Sequence, residues 1–314
     1  MSISPDAPNP HFAVRPGWLA LHEEPALEPG LPIIDCHHHF WDRPENRYFF
    51  FDLLRDLKCG HTFAATVFME CGAMYRKSGP AECAPVGETE FANGLAAMSA
   101  SGNYGATRIA EGIIGHCDLM IGHRVAAVLE NHVAAGGGRF RGIRQIAAWH
   151  VNPAARGSLA SPPPGLLADA RFRTGLAAVH RAGMSFETFL YHTQIFELVD
   201  LAMAFPDTPV ILNHIGGPLG IGPYAGKRDE VFENWRAGIL ALSRCPNANV
   251  KLTGLGMRLF GFEFGARLQP PTSEDLAAAW APYIETCIEA FGVERCMFGS
   301  NFPVDKGSCS YGVL

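Results

Sequence analysis

Histidines at positions 37 and 39 carry the first signal of chemistry in this chain. They stand in Ile33-Ile34-Asp35-Cys36-His37-His38-His39-Phe40-Trp41, which reads as a short buried strand running out into a loop. Side chains alternate across a strand, so His37 and His39 are expected on one side with Asp35, and Ile34, Cys36 and His38 on the other. Two imidazoles at i and i+2, at the end of an apolar run, can chelate one metal ion without moving the backbone. The competing reading is a histidine cluster that merely caps a strand, and the rest of the chain has to decide between them. Farther along, Glu70, His116, Arg144, His192, His214 and Asn301 each stand at or near the end of an apolar run.

Those runs recur with one pattern: apolar segment, polar or glycine loop, helix-like stretch. After the histidine strand they cover residues 63–71, 109–116, 140–145, 185–192, 209–214, 250–254 and 296–301. Helices are expected near 89–100, 124–135, 174–182, 194–204, 230–243 and 273–291, the last opened by Ser273 with Glu274 and Asp275 in its first turn. Eight strands alternating with helices imply parallel pairing and a (β/α)8 TIM barrel. An open doubly wound sheet is the main alternative, but no glycine-rich nucleotide fingerprint follows the first strand. In a barrel the C-terminal strand ends converge, so His37, His39, Glu70, His116, Arg144, His192, His214 and Asn301 are expected around one cleft. Residues 1–32 hold seven prolines and read as an N-terminal arm, anchored on the body by Trp18 and Leu19, ahead of a barrel domain at 33–314. The chain stops soon after the eighth strand, so the closing helix is expected to be missing, and the bare groove would favour homo-oligomers.

Composition narrows the function classes. With 48% hydrophobic and 18% charged residues in 314, the chain can bury a large core. No apolar run approaches the roughly 18 residues of a membrane span, and the N-terminus lacks the pattern of a signal peptide. A net charge of -6 without a Lys/Arg cluster argues against nucleic acid and anionic membranes. Nine scattered cysteines with no CxxC pair suit reduced thiols and a cytoplasmic location.

Taken together, Ile34-Asp35-x-His37-x-His39-x-Trp41, His192, Asn213-His214-Ile215-Gly216-Gly217-Pro218 and Phe298-Gly299-Ser300-Asn301-Phe302-Pro303 resemble the amidohydrolase superfamily. The nearest branch is that of metal-dependent TIM-barrel hydrolases, which includes sugar lactonases and pyrone-dicarboxylate lactonase. The resemblance implies that His37 and His39 are metal ligands and that His192 is a third. It implies that His214 polarises the scissile carbonyl or shuttles a proton. Asn301 stands where that family has an aspartate that binds metal or takes a proton from water. Strand four offers Arg144 and no lysine, which excludes a carbamylated-lysine binuclear site and leaves one divalent ion, Zn2+ or Mn2+, or none.

An amide has no basic lone pair, so with Asn301 the base must lie elsewhere. Glu70, His214 and Asp305 are the candidates. For Glu70 the alternative is a plain ion pair with Arg144 or Arg76. Arg144, Arg141, Arg258 and Tyr75 are candidates to hold a substrate carboxylate or sugar hydroxyl, with surface ion pairing as the other reading of the arginines. His116 could line the pocket, and Asp35 is expected to orient an imidazole. The implied reaction is attack of water on a lactone or related cyclic ester, carboxylated or sugar-derived, with Zn2+ bringing the pKa of water to about 7. A non-oxidative decarboxylase of the same superfamily and a catalytically impaired member are the alternatives.

Overall fold

The computed structural model describes residues 11–43, 46–156 and 162–314. A proline at its first turn opens the short helix α1 (Pro16–Leu19), whose Trp18 and Leu19 are buried. Strand β1 (Pro32–His38) follows, then an antiparallel hairpin of β2 (Trp41–Arg43) and β3 (Asn46–Tyr48), and helix α2 (Phe50–Asp56). From there strand and helix alternate: β4 (Thr62–Met69), α3 (Val86–Ala100), β5 (Arg108–Gly115), α4 (Val125–Ala135), β6 (Phe140–Arg144), α5 (Ala170–Arg181), β7 (Ser185–Thr188), α6 (Ile195–Ala204), β8 (Val210–Leu212), α7 (Arg228–Leu242), β9 (Ala248–Leu252), α8 (Ser273–Phe291) and β10 (Cys296–Phe298). Eight strands make one parallel sheet in the order β1-β4-β5-β6-β7-β8-β9-β10, the TIM-barrel order.

Apolar residues explain the layering. Phe172 of α5 meets Phe186 of β7 edge-on with ring centroids 5.7 Å apart. Each such buried aromatic contributes about 2 kcal/mol through the area it removes from water. Helix α8 is capped by Thr272 rather than Ser273: its hydroxyl accepts from Asp275 N at 3.0 Å, and the Asp275 carboxylate accepts from Thr272 N at 3.1 Å. Threonine followed three residues later by a carboxylate satisfies two helix-end donors at once, which serine one position on could not do in this register.

The sheet closes without a β1–β10 ladder. Instead, Asn301 N donates to His37 O and His39 N donates to Phe302 O, both at 2.7 Å. Beneath these, the Asp35 carboxylate accepts from His37 N (3.0 Å), Ser300 N (2.9 Å), the Ser300 hydroxyl (2.6 Å) and the Tyr311 hydroxyl. A register shift in β1 between Asp35 and His38 breaks strict alternation. Asp35 therefore binds the seam and touches no imidazole nitrogen through a hydrogen bond, contrary to the role expected of it. The segment after β10 forms no closing helix, as expected; it folds inward with Phe302, Cys309, Tyr311 and Val313 buried. Ile34 and Phe298 on the seam strands stay 57% and 37% exposed. Among the described residues no helix is long and apolar enough to cross a membrane.

Candidate active site

Four histidine and asparagine side chains meet at the C-terminal mouth of the barrel. The His37 ring lies 5.0 Å from that of His39 and 4.6 Å from that of His214. His39 donates through Nδ1 to Met69 O at 2.9 Å, and its Nε2 faces Asn301 Oδ1 at 3.3 Å. Burial, reinforced at His39 and His214 by the Arg144 charge, holds the pKa values of all three histidines well below the usual 6.5, so the rings are neutral. Asn301, in the left-handed region at φ 55°, donates its Nδ2 to Asp305 Oδ1 at 2.8 Å. These two contacts turn His39 Nε2 and Asn301 Oδ1 toward each other. Burial pushes Asp305 up to about 7, and its other oxygen accepts from Gly256 N at 3.1 Å.

His214 is held just past β8 by an unusual stretch of backbone. His214, Ile215, Gly216 and Gly217 all have positive φ, between 48° and 74°. For the two non-glycine residues this costs about 1–3 kcal/mol each, a cost that persists only where surroundings enforce it. The ring packs against Gly254, where a Cβ would lie 2.5 Å from His214 Nδ1. Thr253 Oγ1 hydrogen-bonds the same nitrogen at 2.7 Å and holds the ring in place.

Two buried ion pairs flank the histidines. Arg144 Nε donates to Glu70 Oε1 at 2.7 Å and its Nη2 donates to the Glu70 carbonyl, while Nη1 stands 3.4 Å from His37 Nε2. Glu70 is thus the arginine's partner, the plainer of the two roles weighed for it, and its carboxylate is engaged rather than open to water. Tyr75 lies within reach of this pair; burial, then the Glu70 charge, drive its phenol far above 10. Lys251 and Glu187 form the second pair, 2.7 Å apart, with Lys251 also donating to Cys36 O and Asn213 Nδ2 donating to Glu187. Sequence reasoning passed over both residues, although a lysine and a glutamate in the middle of short apolar strands were signals that each had a partner.

The other expected members scatter. Strand β7 ends at Thr188, which leaves His192 four residues on, its Nδ1 accepting from Leu219 N at 3.3 Å and its ring 5.0 Å from Tyr224. Among the described residues no three His, Cys, Asp or Glu side chains converge as a metal-ligand group, so the trio of His37, His39 and His192 does not form here. Arg141 is exposed near the start of β6, the opposite end of the barrel, where it donates to Gly138 O and Phe140 O. Arg258 is exposed in the loop after β9, with its guanidinium 5.9 Å from the Phe12 ring. His116 is half-buried with Nδ1 3.0 Å from Arg144 O, next to the site but turned to the backbone.

The donor set that remains suits a cation. His39 Nε2 and Asn301 Oδ1 face each other, and His37 stands beside them; two imidazoles and an amide oxygen are fitting ligands for a divalent ion. The Arg144 guanidinium next to His37 disfavours a second positive charge, although Glu70 neutralises much of it.

The Amidohydro_2 amidohydrolase family profile matches residues 34–313. Protein y4mH of Sinorhizobium fredii is 32% identical over 306 residues, 90% of this chain and 89% of that protein. The L-fucono-1,5-lactonase of Burkholderia multivorans is 25% identical over 147 residues, 46% of this chain and 45% of that enzyme. Among solved structures, a zinc-bound amidohydrolase from Burkholderia multivorans superposes with a TM-score of 0.65 at 21% identity, over 90% of this chain and 88% of that one.

Proposed function

This chain belongs to the amidohydrolase family, and on that premise we propose that it is a metal-dependent hydrolase that opens a lactone or related cyclic ester. The observation that carries the reading is the meeting of His39 Nε2 and Asn301 Oδ1, 3.3 Å apart, with the His37 ring 5.0 Å from that of His39. A cation there would draw on both atoms, and His37 is placed to join it. One divalent ion held by His37, His39 and Asn301, zinc in the first instance, would polarise an ester carbonyl and acidify a water at neutral pH. The zinc-bound amidohydrolase and the partial match to L-fucono-1,5-lactonase support both halves of this reading.

The chain's own groups supply the rest. With the Thr253 hydroxyl donating to Nδ1, neutral His214 keeps its proton on Nε2 and offers a hydrogen bond from it to the carbonyl oxygen as negative charge develops there. The proton released by water goes to Asp305, which bonds Asn301 directly, and passes from there to the alkoxide as the ring C–O bond breaks. Arg144, with Tyr75 nearby, bears on the substrate's carboxylate or hydroxyls. Burial of the histidines keeps competing water from the carbonyl.

A panel of sugar-derived and carboxylated lactones, followed by pH-indicator release of acid, tests the proposal. Ring opening that His39→Ala abolishes is expected. Release of CO2 from a hydroxybenzoate-type acid with no lactone turnover would instead favour the decarboxylase, and inertness to both would point to an impaired member.

A further inference from the structure

A recess of about 170 Å3 opens beside His39, between β2 and the loop that follows β4. Trp41 and Arg43 form one wall, and residues 71–74 form the other. Each wall is joined to His39 by a contact. Trp41 stacks on the His39 ring, with centroids 5.7 Å and planes 19° apart. Met69, the last residue of β4, accepts from His39 Nδ1 at 2.9 Å, and the second wall begins two residues later. Both walls follow C-terminal strand ends, the face on which a TIM barrel carries its chemistry.

The walls are held in place by buried groups. Glu88 of α3 accepts from Cys71 N and Ala73 N at 2.9 Å, and Cys71 Sγ lies 3.3 Å from the same oxygen. Arg43 spans the recess: its guanidinium carbon lies 3.9 Å over the Trp41 ring, and Nη2 donates to Cys71 O at 3.1 Å. Charge then decides what fits. The Arg144 charge is matched by Glu70, whereas among the described residues no carboxylate pairs with Arg43. Asp42 borders the recess from the other pleat of β2, where it is exposed and water screens its charge. With one Nη2 proton given to Cys71 O, donors remain along the edge of the stacked guanidinium, and a planar carboxylate matches them. A volume of about 170 Å3 takes a carboxylate and the carbons next to it, short of the roughly 300–1,000 Å3 that a whole ligand fills.

We propose that this recess is the carboxylate subsite of the substrate cleft, with Arg43 as its specificity-determining residue and Trp41 as the wall it shares with His39. A carboxylate beside the ester ring goes to Arg43, and hydroxyls go to the matched Arg144–Glu70 pair. The assignment rests on the hydrolase reading for the identity of the substrate, but the binding of a carboxylate at Arg43 does not.

Two readouts test it on the full-length protein. Phenylglyoxal modification of arginines, followed by peptide mass spectrometry, needs no turnover and no variant. Cyclohexanecarboxylate should slow modification of Arg43 about fivefold and leave Arg141, at the far end of the barrel, unprotected. Cyclohexanemethanol, the same ring without the charge, should protect neither. Equal protection by acid and alcohol, no protection, or an Arg43 that the reagent does not reach overturns the subsite. In kinetics, Arg43→Met keeps an apolar side chain over Trp41 and removes the charge. It should raise KM for a carboxylated lactone about tenfold more than KM for an uncharged one, and Arg43→Lys should recover part of the difference. Equal KM changes for the two lactones overturn the selectivity. If the wild type opens no lactone, the hydrolase reading fails while the protection of Arg43 still decides the subsite.

Discussion

Met69 and Asp305 orient the two groups that meet at the centre of the cleft. The Met69 carbonyl accepts from His39 Nδ1, and the Asp305 carboxylate accepts from Asn301 Nδ2, which turns His39 Nε2 toward Asn301 Oδ1 at 3.3 Å. Asn301→Asp replaces a weak neutral ligand by a carboxylate, and it should bind the divalent ion about tenfold more tightly, worth about 1.4 kcal/mol. Chelator competition measures this; unchanged affinity would mean that position 301 does not touch the ion. His37, His39, Asn301 and His214 could be read from the sequence because spacing and flanking glycines mark strand ends.

Strands supply the rest of the site's rigidity. Lys251 on β9 donates to the β1 carbonyl of Cys36 and to Glu187 on β7, which also binds Asn213 after β8, so one buried pair ties together the elements that carry His37 and His214. Breaking such a pair from one side leaves an uncompensated charge, and Lys251→Met should cost about 3–5 kcal/mol in urea unfolding. Lys251→Met combined with Glu187→Gln should recover most of that loss; a double variant no better than the single would show that packing, not charge, is at stake. Strand identities and most helix boundaries followed from apolar runs and their spacing. The helix α2 and the β2–β3 hairpin lie in a stretch with no sustained period, and β7 ends at Thr188 although the apolar run goes on through Tyr191, which leaves His192 beyond the strand end. The bulge that turns Asp35 to the seam likewise leaves no trace in an alternating pattern.

For the whole molecule, buried titratable groups set a stability optimum. His38, His132 and His192 are brought down to about 4 by burial, and His37, His39 and His214 lie well below 6.5 for the same main reason. Their unfolded counterparts bind protons from about 6.5 downward, so stability present above that pH is lost as pH falls toward 4. Glu88, which accepts from Cys71 N and Ala73 N and carries an oxygen without a hydrogen-bond partner, is pushed by burial up to about 8, with Asp305 at about 7. Raised carboxyl values act in the opposite sense: their contribution is lost as pH rises from about 4.5 through 8. Metal-stripped protein should therefore show a Tm maximum near pH 6.5, with a steep acid limb. Glu88→Gln should flatten the alkaline limb alone; an alkaline limb unchanged by that substitution would assign it to other groups.

The metal content of freshly purified protein tests the central claim most directly. Elemental analysis should find close to one equivalent of zinc or another divalent ion per chain, and a near-empty site in His39→Ala. A wild-type protein with no bound divalent ion after growth and purification in metal-sufficient conditions, or a His39→Ala variant that retains the full equivalent, would contradict it.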